Sequence, residues 1–227
     1  MKYSDKKAVL FDLDGTLVDS APDLALAVNH MLECLEREPF CPQIIRSWVG
    51  NGASTLVKRG LSGSSAIDEN IDSDLFAKAL EIFLDFYADN LCVDTVVYPN
   101  VLKTLQSLKS QDYRLVVVTN KPYDFVQPLL SGLEMQDLFE FCIGGDSLSK
   151  RKPDPEPLLH VCDRLNLSVE DCVMIGDSKN DIQAANAAKM HSIGVSYGYN
   201  YGESIELYGP DHVVDDFHDI LPLFGEQ

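Results

Sequence analysis

Two aspartates, Asp12 and Asp14, stand one residue apart directly after the apolar run Ala8-Val9-Leu10-Phe11. Strand side chains alternate, so both carboxylates leave the strand on one side while Leu13 points to the other. Gly15 allows the backbone angles of a sharp exit turn. At the carboxyl end of a strand in an open α/β sheet, such a pair faces the ligand crevice. Like charges this close repel, and a hard, oxygen-liganded divalent ion such as Mg2+ relieves them. A carboxylate so placed can also attack phosphorus and carry an aspartyl-phosphate. Taken alone, the motif also fits an ordinary acidic turn after a strand.

Three further polar clusters follow apolar runs or open helices. Thr119-Asn120-Lys121 comes after Arg114-Leu115-Val116-Val117-Val118, Lys150-Arg151-Lys152-Pro153-Asp154-Pro155 opens a helix, and Gly176-Asp177-Ser178-Lys179-Asn180-Asp181 comes after Cys172–Ile175. Each has a plain structural reading. Thr119 could cap a helix before Pro122, Lys152 could be a solvated lysine before a proline turn, and Asp177 and Asp181 could be helix-start acids. Together they compose phosphoryl transfer. Asp12 would attack. Asp14 would protonate the leaving oxygen and then activate water. The Thr119 hydroxyl would hold phosphate oxygens, and Lys152 would neutralise the phosphate and Asp12. Asp177 would give a second carboxylate to Mg2+, with Asp181 in support.

The elements that must bring these groups together are legible from periodicity. Helices are expected over 21–37, near Pro42, around Leu56–Leu61 and over about 74–91, with a polar loop at 62–73 and no strand between 20 and 92. After Tyr98-Pro99 the pattern alternates: helix 100–110, strand 114–118, helix 122–132, strand 139–143, helix 155–165, strand 172–175, helix 180–189, strand 191–195 and a short strand near 212–214. Alternation of this kind predicts an α/β fold with a doubly wound parallel sheet. In such a sheet all the polar clusters at strand ends share one edge. The simplest architecture is a core of residues 1–17 and 96–227 with an all-helical unit, 18–95, inserted after the first strand.

Composition narrows the possible functions. The chain has 227 residues, 45% of them apolar, and a net charge of −18. That charge disfavours nucleic acid and anionic membranes as partners and demands local positive groups for an anionic substrate. No apolar run approaches the roughly 20 residues of a membrane span, and the N-terminus shows no signal-peptide pattern. Six cysteines without a C-x-x-C pair argue against zinc and predict reduced, mostly buried thiols in a cytoplasmic protein. None is followed six positions later by Arg, which excludes the loop of cysteine phosphatases.

The four clusters, in this order and spacing, resemble the motifs of the haloacid dehalogenase superfamily of phosphatases over the whole chain. The resemblance implies a Rossmann-like core, a small helical cap for the insert, and Mg2+ as cofactor. It also implies that the second acid, here Asp14, offers its backbone carbonyl to the metal, so Asp14 carries a metal role beside its acid–base role. The metal set is then Asp12, Asp14, Asp177 and Asp181.

Trp48-Val49-Gly50-Asn51-Gly52 and the helix to Leu61 are similar to the cap of bacterial phosphoglycolate phosphatases, as are Asp19-Ser20-Ala21-Pro22-Asp23-Leu24 and Tyr197-Gly198-Tyr199-Asn200-Tyr201-Gly202. The polar 62–73 segment is shorter than relatives can carry. The turn could present N–H groups to a small carboxylate, with Asn51 and Arg59 beside it and Asn120 from the core; it could as well be a bare helix-to-helix turn, and Arg59 a solvated side chain. The implied reaction is hydrolysis of 2-phosphoglycolate to glycolate and phosphate by a monomer or homodimer. Alternatives are another small phosphomonoester, a sugar phosphate, pyrophosphate, a phosphosugar mutase, or an inert relative. The last would have lost a motif residue, and here all are present.

Overall fold

The computed structural model describes residues 2–225. In chain order, β1 (Ala8–Phe11) and a two-residue β2 (Val18–Asp19) lead into four helices, α1 (Ala21–Cys34), α2 (Pro42–Arg46), α3 (Ala53–Ser62) and α4 (Ser73–Asp89). Then follow β3 (Val96–Val97), α5 (Val101–Ser110), β4 (Arg114–Val118), α6 (Tyr123–Gly132), β5 (Phe141–Ile143) and α7 (Glu156–Leu165). The chain ends with β6 (Cys172–Gly176), α8 (Lys179–Ala188), β7 (His191–Val195), β8 (His212–Val214) and α9 (Leu221–Phe224).

Six strands form a parallel sheet in the order β5-β4-β1-β6-β7-β8. Strand β1 is buried at every position because it pairs on both sides and is covered on both faces. Its alternation splits the core into two layers. Val9 and Phe11 pack with Leu105, Val117, Ile175 and Phe217 on one face. Ala8 and Leu10 pack with Val116, Met174, Leu158 and Ala185 on the other. The chain winds from β1 outward through β4 and β5, then returns to β6 on the opposite side. The carboxyl end of β1 is therefore a topological switch point, where the loops after β4 and β6 diverge and leave a crevice.

Helices α1 to α4 pack into an apolar cluster around Met31, Trp48, Val57, Phe83 and Tyr87, joined from the core by Phe125 and Tyr199. The chain enters and leaves them through β2 and β3, paired antiparallel at Val18–Val97 and Asp19–Val96. The carboxylate of Asp23, buried in the first turn of α1, accepts the N–H groups of Val93, Asp94 and Thr95 and the Thr95 hydroxyl at 2.6–3.1 Å. Entry and exit segments are thus tied together.

Most elements fall where periodicity puts them. Helix α1 stops at Cys34 rather than 37, because Glu36 takes a positive φ of 56° and Arg37 N–H closes back on the Leu32 carbonyl. The strand expected at 139–143 starts at Phe141, since Gln136–Leu138 form a 3-10 turn. The β2–β3 ribbon was not anticipated: two residues are too few for a period to show. The six thiols are free, but Cys34, Cys41 and Cys92 are exposed, so only half match the expected burial.

Candidate active site

The carboxyl end of β1 delivers Asp12 into the crevice. Its N–H still joins the ladder, donating to the Ile175 carbonyl at 3.0 Å, so its side chain is fixed by the sheet register. Gly15, at φ 91°, turns the chain away and lies so close to Asp177 that any Cβ would collide with that carboxylate. The Lys152 ammonium reaches across from the loop before α7. It sits 3.0 Å from Asp12 Oδ1 and 2.6 Å from Asp181 Oδ1, and donates to the Val118 carbonyl. Burial opposes its charge, but Asp12 and Asp181 outweigh it and keep the lysine protonated.

Asp177 follows β6 and accepts from the Thr16 hydroxyl at 2.9 Å and from Tyr199 N–H at 2.7 Å. Asp181, fully buried, is the third residue of α8. Its Oδ2 accepts from the Ser178 N–H and hydroxyl in a capping box, so one side chain both starts the helix and holds Lys152. Oxygens of Asp12, Asp177 and Asp181 lie within 4.8 Å of one another. Burial pushes the Asp12 carboxyl up to about 8, with Asp181 and Asp177 adding to it against the pull of Lys152. Burial and the Asp181 charge push Asp177 up to about 7.

This cluster fits a divalent cation. Its donors are hard carboxylate oxygens, and Asp12 Oδ1, though in ion-pair range of Lys152, is buried with no aligned hydrogen bond. Four carboxylates (Asp12, Asp14, Asp177, Asp181) face two ammoniums (Lys121, Lys152), a surplus of two negative charges that one such ion would balance.

Asp14 is placed differently from the expectation of a crowded Asp12–Asp14 pair. Its carboxylate turns toward the helical insert, where Ser20 Oγ donates to it at 2.5 Å and Lys121 Nζ at 3.1 and 3.2 Å. Each strand-end acid has its own lysine, and the crowding of like charge involves Asp12, Asp177 and Asp181 instead.

Between the sheet edge and the insert lies a narrow cavity, bordered by Asp12, Asp14, Thr119, Asn120 and Lys121 on one side and by Gly50, Gly52, Leu56, Phe83 and Tyr87 on the other. Thr119 is buried beside Asp12's strand, its hydroxyl accepting Lys121 N–H at 3.2 Å. Gly50 and Gly52 have φ of 118° and 80°, as a nest-like turn requires. What the turn offers the core is a carbonyl: Gly50 C=O accepts from the amides of Asn120 and Asn180, both at 3.1 Å. Asn51 accepts from the Tyr201 hydroxyl at 2.8 Å.

Two expected substrate contacts are not brought into the cavity. Asn51 is absent from its border because Tyr201 and Asn180 engage it. Arg59 is absent because its guanidinium donates to the Trp48 and Ser65 carbonyls and lies over the Tyr201 ring. Conversely, Lys121, Tyr87, Phe125 and Asn180 border or brace the site without having been singled out. Lys121 directly follows Thr119-Asn120, a usable signal. Tyr87 reads as one more apolar-face residue of α4. The aromatic–glycine run Tyr197–Gly202 braces the site: Tyr199 binds Asp177 through its N–H, and its hydroxyl bonds Asp19, Ser20 and Ala21.

A buried strand-end carboxylate, a lysine clamped on it and an acidic cluster thus meet at the switch point of a parallel sheet. The chain belongs to the haloacid dehalogenase-like hydrolase family, whose model matches residues 9–195. It is 53% identical over 221 residues to a phosphoglycolate phosphatase of Colwellia psychrerythraea, covering 97% of this chain and 98% of that protein. The phosphoglycolate phosphatase of Salmonella typhimurium is 42% identical over 238 residues, covering 99% and 94% of the two. A crystal structure described as a predicted phosphoglycolate phosphatase from Haemophilus somnus matches with a TM-score of 0.90 at 39% identity, over 96% of this chain and 98% of that one.

Proposed function

We propose that this hydrolase is a Mg2+-dependent phosphatase that converts 2-phosphoglycolate to glycolate and phosphate. The observation that carries the chemistry is Asp12: buried, register-fixed, bordering the cavity and set beside Lys152 and the acidic cluster. The relatives' names support the substrate.

Asp12 attacks phosphorus, the bond from phosphorus to the substrate's bridging oxygen breaks, and Asp14 gives that oxygen its proton. Asp14 then takes a proton from water as the water oxygen attacks the aspartyl-phosphate. The bond to Asp12 breaks, phosphate leaves and both acids return to their first state. Thr119 and Lys152 hold the phosphoryl oxygens in line. Mg2+, held by Asp12, Asp177 and the Asp14 carbonyl with Asp181 in support, supplies charge neutralisation to the phosphoryl group. Residues 18–95 serve as a cap over a core of 1–17 and 96–227, swinging on the β2–β3 ribbon and closing through the Gly50–Gly52 turn.

No helix among the described residues is long and apolar enough to cross a membrane. With six free thiols, a cytoplasmic location follows as part of the same reading. The test is a panel of phosphorylated metabolites, pyrophosphate and a hexose phosphate included, with Mg2+ and a free-phosphate readout. Phosphoglycolate should lead in kcat/KM. Another leader, or turnover without phosphate release, would overturn the assignment.

A further inference from the structure

Phosphoglycolate carries a carboxylate beside its phosphate, and that carboxylate needs a cation in a chain of net charge −18. We propose that Lys121, together with the Tyr87 hydroxyl, seats the substrate's carboxylate and selects short 2-phospho acids over neutral alkyl phosphates. This rests on the phosphatase reading above and assigns the selecting charge to the core rather than to the Gly50–Gly52 turn.

Lys121 is the one basic residue bordering the cavity among the described residues. The other cations nearby are engaged. Lys152 is drawn to the phosphoryl end of the site by Asp12, Asp181 and the Val118 carbonyl. Arg59 is held by backbone carbonyls, Lys58 lies over the Phe76 ring, and Arg151 reaches Thr55.

The lysine side chain is 2% exposed, and its ammonium touches Asp14 on one side and donates to the Tyr87 hydroxyl at 2.6 Å on the other. Tyr87 accepts that bond, and its own proton has no acceptor among the described residues, so the hydroxyl is a second free donor at the cavity wall. Leu24, Leu56, Phe83 and Phe125 form the rest of that wall. Such a lining keeps water out, strengthens a charged contact and leaves no partner for a larger polar group.

Covalent geometry supplies the fit. During transfer the substrate's bridging oxygen must lie at Asp14, which gives it a proton. In a 2-phospho acid the carboxylate carbon is two bonds from that oxygen. It therefore falls beside the neighbour of Asp14, and that neighbour is Lys121.

The experiment compares kcat/KM for 2-phosphoglycolate and for ethyl phosphate, which carries a methyl group in place of the carboxylate, in wild type, Lys121→Met, Lys121→Arg and Tyr87→Phe. Lys121→Met should lose rate on both substrates, because Lys121 also braces Asp14. The phosphoglycolate-to-ethyl-phosphate ratio should fall a further tenfold to hundredfold, roughly the range for one charged hydrogen bond. Lys121→Arg should keep part of the ratio and Tyr87→Phe should lower it about fivefold. Glycolate should inhibit wild type competitively and Lys121→Met far less. A ratio unchanged in Lys121→Met overturns the proposal and leaves Lys121 as a brace for Asp14 alone. Should Lys121→Met not fold, an unchanged ratio in Tyr87→Phe together with full retention of glycolate inhibition overturns it. A wild type that does not prefer phosphoglycolate overturns both this proposal and the phosphoglycolate assignment, whereas a preference that survives in Lys121→Met overturns this one only.

Discussion

The sheet edge and the turn facing it across the cavity are built on opposite plans. At the edge the acids of the metal cluster are buried, and two are bound by several partners: Asp181 holds Lys152 and caps α8, while Asp177 takes a hydroxyl and a backbone N–H. The Gly50–Gly52 turn meets that edge through a carbonyl, an asparagine and a tyrosine hydroxyl. Beyond the turn, the insert meets the core at Tyr87 with Lys121 and at Thr55 with Arg151. The strand-end acids are thus anchored where parallel strands end and the ladder sets the position of their backbone. The turn is held there by a few hydrogen bonds, each worth about 1 kcal/mol net, which can part and reform.

If the two regions differ in this way, disturbing the edge should cost orders of magnitude and disturbing the turn far less. Asp12→Asn should lower kcat by roughly 10⁴-fold or more, as losses of a nucleophile do. It should not lower the melting temperature in chelator, because it removes one of three crowded buried carboxylates while Lys152 keeps Asp181. A variant that retains substantial turnover would remove Asp12 as nucleophile.

Chelation should abolish activity and Mg2+ should restore it. The pH dependence follows from the raised acids. In the metal-free fold Asp12 and Asp177 are pushed up to about 8 and about 7 by burial, against about 4 when unfolded. Between those values the folded state binds more protons than the unfolded chain, so their contribution to stability falls as pH rises. A cation bound to the ionised acids cancels that loss. The Mg2+-induced rise in melting temperature should be larger at pH 8 than at pH 6. Equal shifts at both values would mean that these acids are not what the ion binds.

Gly50→Val should act at the turn. Its φ of 118° strains any other residue, and a Cβ there would come within 2.6 Å of the Tyr201 hydroxyl. We expect kcat/KM to drop about tenfold, and by the same factor for phosphoglycolate and ethyl phosphate, because the turn closes the cavity rather than reading the carboxylate. A selective loss on phosphoglycolate would sharpen the comparison differently, moving recognition back to the turn. Tyr201→Phe removes only the bonds to Asn51 and Asn180. Its effect should be the smallest, about fivefold in kcat/KM with unchanged melting temperature, read in the same assay.

Strand-end chemistry was readable in the chain because it depends on local order. An apolar run followed by polar residues is visible without coordinates, and Asp12, Thr119, Lys152 and Asp177 each follow a strand or precede a helix at short range. Arg59 and Asn51 were legible only as polar residues near a glycine turn. Nothing local says that Arg59 will meet the Trp48 carbonyl or that Tyr201, 150 residues from Asn51, will take its oxygen. Tyr87 was hidden in a helical stripe of apolar residues, where spacing reports which face is buried and not what the hydroxyl at its end can touch.

From its residues alone, then, this protein is a parallel α/β sheet with a helical insert and a carboxylate-centred site, because backbone periodicity and strand-end placement are local properties. Which acid pairs with which lysine was decided by the tertiary structure. Strand order β5-β4-β1-β6 sets the loops after β4 and β6 on either side of Asp12. That arrangement gives Lys152 to Asp12 and Asp181, and Lys121 to Asp14 and Tyr87. Pairing of charges depends on distances of a few ångströms between residues 29 to 140 positions apart in the chain, and only the folded sheet sets those distances.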